Sequence, residues 1–155
     1  MGQCLTNAIA FGPRPPPDDE TGGAIRGHRG FVWLLSGKNN IPAVFIQTAG
    51  AELTILYSHG NAEDLGEGLD GMEAMARRFK VNVFAYEYSG YSISRSQAGA
   101  LPGASASQAY VDIGSALQYL EEELRVARGS VVLFGRSLGS GPTVHLASIQ
   151  HGLAG

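Results

Sequence analysis

From residue 28 onward, short runs of β-forming residues alternate with longer stretches in which apolar residues recur every three or four positions. Residues 30–35 and 43–48 are two such runs. Between them, Gly37-Lys38-Asn39-Asn40 supplies the glycine and asparagines that tolerate a tight reversal, so the pair predicts an antiparallel hairpin. Residues 53–58, Leu-Thr-Ile-Leu-Tyr-Ser, form a third run that ends at His59-Gly60-Asn61. Leu65, Leu69, Met72, Met75, Ala76 and Phe79 then share one face of a helix expected over 64–79, with Glu63 and Asp64 placed where its N-terminal dipole favours acidic residues. The alternation repeats with a strand at 81–86. Ser107 is the expected cap of the next helix, whose face carries Tyr110, Ile113, Leu117, Leu120 and Leu124, and a buried strand follows at 131–134. Strands alternating with amphipathic helices imply right-handed crossovers and a mostly parallel sheet covered on both faces, an α/β fold. The Gly-, Ala- and Ser-rich segment between Tyr88 and Ser107 has no periodicity and is assigned no structure.

The first 27 residues break this pattern. Residues 11–26 hold four prolines with glycines and acidic residues and read as an extended spacer with little to pack; a Pro-rich ligand for a recognition domain is the sharper alternative. The chain therefore divides into a tail and linker, 1–27, and one folded unit, 28–155. The tail opens Met1-Gly2-Gln3-Cys4-Leu5-Thr6, which matches the pattern for myristoylation of Gly2, although so short a pattern also arises by chance. Cys4, the sole cysteine, stands two residues from that glycine, where a membrane-held thiol could take a second acyl chain. Two chains matter because one myristoyl group binds membranes only marginally, on the order of 10⁴ M⁻¹.

Composition narrows the classes. A formal net charge of -3 with unclustered basic residues argues against nucleic acid as a partner. The longest apolar runs fall far below the roughly 20 residues of a spanning helix, and a single cysteine rules out an internal disulfide or a cysteine-built zinc site. With no cleavable leader recognised, a reducing compartment is expected, on the cytoplasmic face of membranes if the tail is acylated and in the cytosol otherwise. No metal or cofactor is expected.

The chemistry-bearing motif follows the 131–134 strand. Gly135-Arg136-Ser137-Leu138-Gly139 is a Gly-x-Ser-x-Gly sequence entering a helix-like stretch with Pro142, Val144, Leu146 and Ile149. A tight strand-to-helix turn holds such a serine in a strained conformation, so the residues two before and two after must be small; Gly135 and Gly139 meet that need. Ser137 is the candidate nucleophile, and the Leu138 amide at the helix start is a candidate oxyanion donor, a contribution typically worth about 10²–10³ in rate. The bland reading is a glycine-flanked turn of an ordinary parallel sheet. A second donor is expected from the loop after an earlier strand, where Gly60 lets the backbone approach substrate and Asn61 offers its N–H; His59 is read as bracing that loop rather than as a base. A phosphate-binding loop is a poor alternative, because Gly135–Gly141 lacks the required lysine.

Several segments resemble the alpha/beta hydrolase domain-containing protein 17 family: Leu56-Tyr57-Ser58-His59-Gly60-Asn61-Ala62-Glu63-Asp64-Leu65-Gly66, Tyr86-Glu87-Tyr88-Ser89-Gly90-Tyr91, Tyr110-Val111-Asp112-Ile113, and the stretch from Phe134 to Ser148. The resemblance implies an α/β-hydrolase fold and a membrane-bound serine hydrolase that removes palmitoyl groups from proteins, with Ser137 as nucleophile, Leu138 and Asn61 as oxyanion donors, and anchoring through acylated N-terminal cysteines such as Cys4. Ser92 stands where the family has glycine, and the segment around 94–107 is enlarged. In this fold the triad runs Ser, then Asp or Glu, then His. No acidic residue follows Ser137; His145 lies eight residues on, about two helical turns away, and His151 is expected at a frayed end. The expectation is thus the nucleophile half of a hydrolase, with the far edge and apolar face of the 131–134 strand open. The alternative is a lipid-anchored half-domain that binds acyl groups or a partner without catalysis.

Overall fold

A computed structural model describes residues 19–61, 63–96 and 103–155. Gly2 and Cys4 lie outside them. The elements run α1 (Asp19–Gly27), β1 (Phe31–Ser36), β2 (Asn39–Ile46), β3 (Thr54–Ser58), α2 (Leu65–Phe79), β4 (Asn82–Tyr86), β5 (Arg95–Ser96), α3 (Ala106–Glu122), β6 (Val131–Gly135) and α4 (Ser140–Ile149).

The sheet order is β1-β2-β4-β3-β6, with the short β5 also paired to β2. β2 runs antiparallel to both β1 and β4, whereas β3 is parallel to β4 and to β6, so four of the five long strands share one direction. The alternation within each strand sends neighbours to opposite faces. Phe84, Tyr86, Leu56 and Ile41 meet Ile113, Leu117 and Leu120 of α3 and Leu146 of α4 on one face. Val83, Ala85, Val44 and Ile46 meet Leu65, Leu69, Met72 and Ala76 of α2 and Ile25 of α1 on the other.

Several local expectations shift. The spacer's last part folds: α1 occupies Asp19–Gly27 and buries Ile25 completely, a contact that spacer composition does not reveal. The hairpin turn contracts to Gly37 and Lys38, with Gly37 at φ +59°, and Asn39 joins β2. Ser105, not Ser107, caps α3, its hydroxyl accepting from the Gln108 amide at 3.2 Å; both serines are near the start, and the backbone entry angle selects the first. Within the segment assigned no structure, β5 pairs with Asn39 and Asn40. Phe79 and Tyr110 leave their helical faces for solvent, and Tyr110 stacks on His145 at 4.1 Å.

The edge of β6 is not left open along its length. Ala154 N donates to Val131 O and Leu133 N donates to Gly155 O, each at 2.9 Å, while Leu153 packs against the α3-side core. Arg128 reinforces this end by donating to Gln150 Oε1 at 2.7 Å, so the segment expected to fray is held. The apolar face stays partly exposed at Phe134, which stacks on Tyr57 at 5.3 Å.

Asp112 is the buried polar centre. Its carboxylate accepts from Ser36 Oγ at 2.5 Å, from the amide and hydroxyl of Ser89 at 2.8 Å, and from Gln108 Nε2 at 3.0 Å, tying α3 to β1 and to the loop after β4. Burial raises its pKa, and these donors oppose the rise.

Candidate active site

Two loops at the C-terminal ends of β3 and β6 stand side by side because the strands are adjacent and parallel. Ser58 pairs with Gly135, and Arg136 N continues the ladder by donating to Ser58 O at 3.0 Å. The order reverses here, since the chain passes from β3 out to β4 and then returns across β3 to β6. Ligand crevices of open α/β sheets form at such reversals.

Beyond β6, Ser137 adopts φ +51°, a left-handed conformation that costs an L-residue about 1–2 kcal/mol. A 3₁₀ turn over Ser137–Gly139 follows and leads into α4. The glycines make the turn possible. A Cβ on Gly135 would lie 2.5 Å from both Gly139 O and Thr143 Oγ1, and one on Gly139 would run into the carbonyl oxygens of Ser58 and His59. Ser137 is exposed, whereas Leu138 is half-buried with its side chain against the core.

The opposite loop is braced from beneath. His59 is buried, with Nε2 2.6 Å from Glu87 Oε1 and Nδ1 2.8 Å from Gly60 O. Nδ1 is thus hydrogen-bonded to Gly60 O, whereas Nε2 faces Glu87 at ion-pair distance without hydrogen-bond geometry. Burial pulls the His59 pKa down, but the Glu87 charge beside it, with help from Gly60 O and Glu63, holds it above the ordinary value. Glu87 also accepts the Leu65 amide at the start of α2, and Tyr88 OH donates to His59 O at 2.7 Å. Tyr91 OH donates to Asn61 Oδ1 at 2.8 Å; burial raises the Tyr91 pKa to about 12, which keeps that proton in place. His59 thus packs beneath the loop in contact with Glu87, Gly60 and Tyr88. Its partners Glu87, Tyr88 and Tyr91 were not assigned roles from sequence, although an acid set among tyrosines directly after a strand is a visible signal.

Asp64 does cap α2, accepting from the Gly66 amide at 2.7 Å, but Glu63 does not act as a helix-start residue. It turns back to accept from Gly60 N at 2.9 Å and to pair with Arg136 Nη2 at 2.5 Å. A groove of about 340 Å³ opens beside this pair, lined by Tyr57, Leu65, Met72 and Met75 among others, though not by Ser137. Partial burial raises the Tyr57 pKa there, reinforced by Glu63 and opposed by Arg136. His145 is engaged with Tyr110 on α3. Among the described residues no cluster of three or more His, Cys, Asp or Glu side chains is arranged to hold a metal, and no helix is long and apolar enough to cross a membrane.

No family model matches the chain. Relatives do: the chain is 36% identical over 111 residues to mouse alpha/beta hydrolase domain-containing protein 17C, covering 71% of this chain and 33% of that protein. It is 32% identical over 119 residues to the human 17B protein, covering 76% and 39% respectively. Over about three quarters of its length the chain is thus similar to the alpha/beta hydrolase domain-containing protein 17 family. It spans about a third of the length of the family members it matches. Among solved structures, an alpha-beta hydrolase from Vibrio vulnificus superposes with a TM-score of 0.75 over 99% of this chain and 55% of its own; at 18% identity this speaks for the fold. The architecture described above is therefore an α/β-hydrolase sheet, continuing through the strand, turn and helix that carry Ser137.

Proposed function

We propose that the chain supplies the nucleophile and oxyanion donors of a serine hydrolase acting on palmitoyl thioesters of membrane-associated proteins. The observation that carries this reading is the left-handed Ser137, wedged between two glycines with no room for a side chain and presented at the start of α4. That strain is explained by a requirement to expose the hydroxyl. Ser137 Oγ attacks the thioester carbonyl carbon and gives up its proton to a base. The oxyanion that forms is met by the amides of Leu138 and Asn61, the carbon–sulfur bond breaks, and the protonated cysteine thiol departs. Water then releases the fatty acid from Ser137. The base and its acidic partner are assigned to sequence outside this chain. Acyl groups on Gly2 and Cys4 would hold the enzyme at the cytoplasmic face of the membrane, where such substrates lie. The second reading, a half-domain that binds acyl groups or a partner without catalysis, is favoured by the engagement of His59 with Glu87 and of His145 with Tyr110.

A fluorophosphonate probe tests the assignment on the full-length polypeptide that carries this sequence. Labelling mapped to Ser137 and abolished in Ser137→Ala is expected; labelling that persists in the variant, or never occurs, defeats it.

A further inference from the structure

Glu63 and Arg136 belong to the two different loops of the site, and neither has a role in the reaction as proposed. One carboxylate joins them: Oε2 accepts from Gly60 N at 2.9 Å and Oε1 meets Arg136 Nη2 at 2.5 Å. Gly60 immediately precedes the proposed donor Asn61, and Arg136 immediately precedes Ser137. We propose that Glu63 and Arg136 are positioning residues whose ion pair latches the loop after β3 to the nucleophile elbow, setting the spacing between the oxyanion donors of the two loops. The inference rests on the reading of Ser137 as nucleophile.

The chemistry of the pair gives the latch a direction. Glu63 is 28% exposed and Arg136 63%, so their attraction is screened and contributes little to stability alone. Its value is geometric, because the carboxylate is also hydrogen-bonded to a backbone donor and cannot follow the guanidinium freely. The same hydrogen bond occupies the Gly60 N–H, so that amide is not an oxyanion donor. A carboxylate this close to a developing negative charge opposes it, and Arg136 offsets that opposition. Removing the arginine alone therefore harms the reaction twice, by loosening the loop and by leaving Glu63 uncompensated. Removing both charges harms it less.

The test is thioester hydrolysis of a palmitoyl-cysteine peptide by the full-length polypeptide. Misplacing reacting groups by about 1 Å can cost on the order of 100-fold, and a loosened latch is expected to cost about 10-fold. Arg136→Ala should lower kcat by more than the about 10-fold of a loosened latch, with little change in KM, and adding Glu63→Gln, which keeps an acceptor for Gly60 N–H but removes the uncompensated charge, should bring kcat back to about 10-fold below the unaltered protein. Glu63→Ala should lower kcat to a similar degree and also speed hydrogen exchange of the Gly60 amide about 10-fold. Single-variant effects that multiply in the double variant, or that fall wholly on KM, would overturn the proposal, as would unchanged Gly60 exchange. If the unaltered protein hydrolyses no faster than Ser137→Ala, the hydrolase reading fails instead, and the exchange measurement still decides whether the latch exists.

Discussion

Ser92 and Ser137 share an unusual backbone, at φ +48° and +51°, for different reasons. At Ser137 the strain has a use, since the elbow exposes the hydroxyl and Gly135 and Gly139 remove every obstacle to the turn. Ser92 has no such use. It lies in the loop after β4, where its hydroxyl is buried with no hydrogen-bond partner. Glycine would relieve about 1–2 kcal/mol of left-handed strain and remove an unsatisfied hydroxyl, against a backbone-entropy cost of about 0.5–1 kcal/mol. Ser92→Gly is therefore expected to stabilise the protein by about 1 kcal/mol, read as a higher urea midpoint with an unchanged m-value. A lower midpoint would mean that the hydroxyl has a partner in solution.

At the scale of elements, the loops rather than the strands need fastening. β3 and β4 are joined by their ladder, but beyond their ends the chain is held by side chains: the His59–Glu87 pair, the Glu87 bond to the first amide of α2, and the Tyr88 and Tyr91 hydroxyls. This fastening depends on pH. The pKa of His59 is raised in the folded protein, so protonation favours folding; the contribution is complete below the unfolded value near 6.5 and disappears as pH rises through the higher folded value. Breaking a buried pair typically costs about 3–5 kcal/mol. His59→Gln should melt well below the unaltered protein at about pH 6, with the gap narrowing as pH rises through the higher folded value of His59. A gap independent of pH would show that His59 braces the loop as a neutral ring.

At the scale of the whole molecule, one sheet with helices on both faces places the β3 and β6 loops together, and β6 forms one edge of that sheet. Ala154 and Gly155 occupy part of that edge. Ala154→Pro deletes the donor to Val131 O, which should cost about 1 kcal/mol and release concentration-dependent association through the freed edge, measured by light scattering. A variant that remains monomeric would show that the edge is protected by other means. Local pattern was enough to reveal the α/β class, the order of the long strands and helices along the chain, and the Gly-x-Ser-x-Gly turn, because period and steric size are properties of neighbouring residues. It missed α1, whose reason to fold is the contact that buries Ile25 against α2 and β2, and it placed Glu63 in a helix start when its partners are Gly60 and Arg136. It likewise assigned no structural role to Asp112, Glu87 or Tyr91, each of which has a partner between 22 and 76 residues away. Strand order, the meeting of the two loops and the latch between them were decided by tertiary structure, since each depends on which distant segments become neighbours, and no short window of sequence records that.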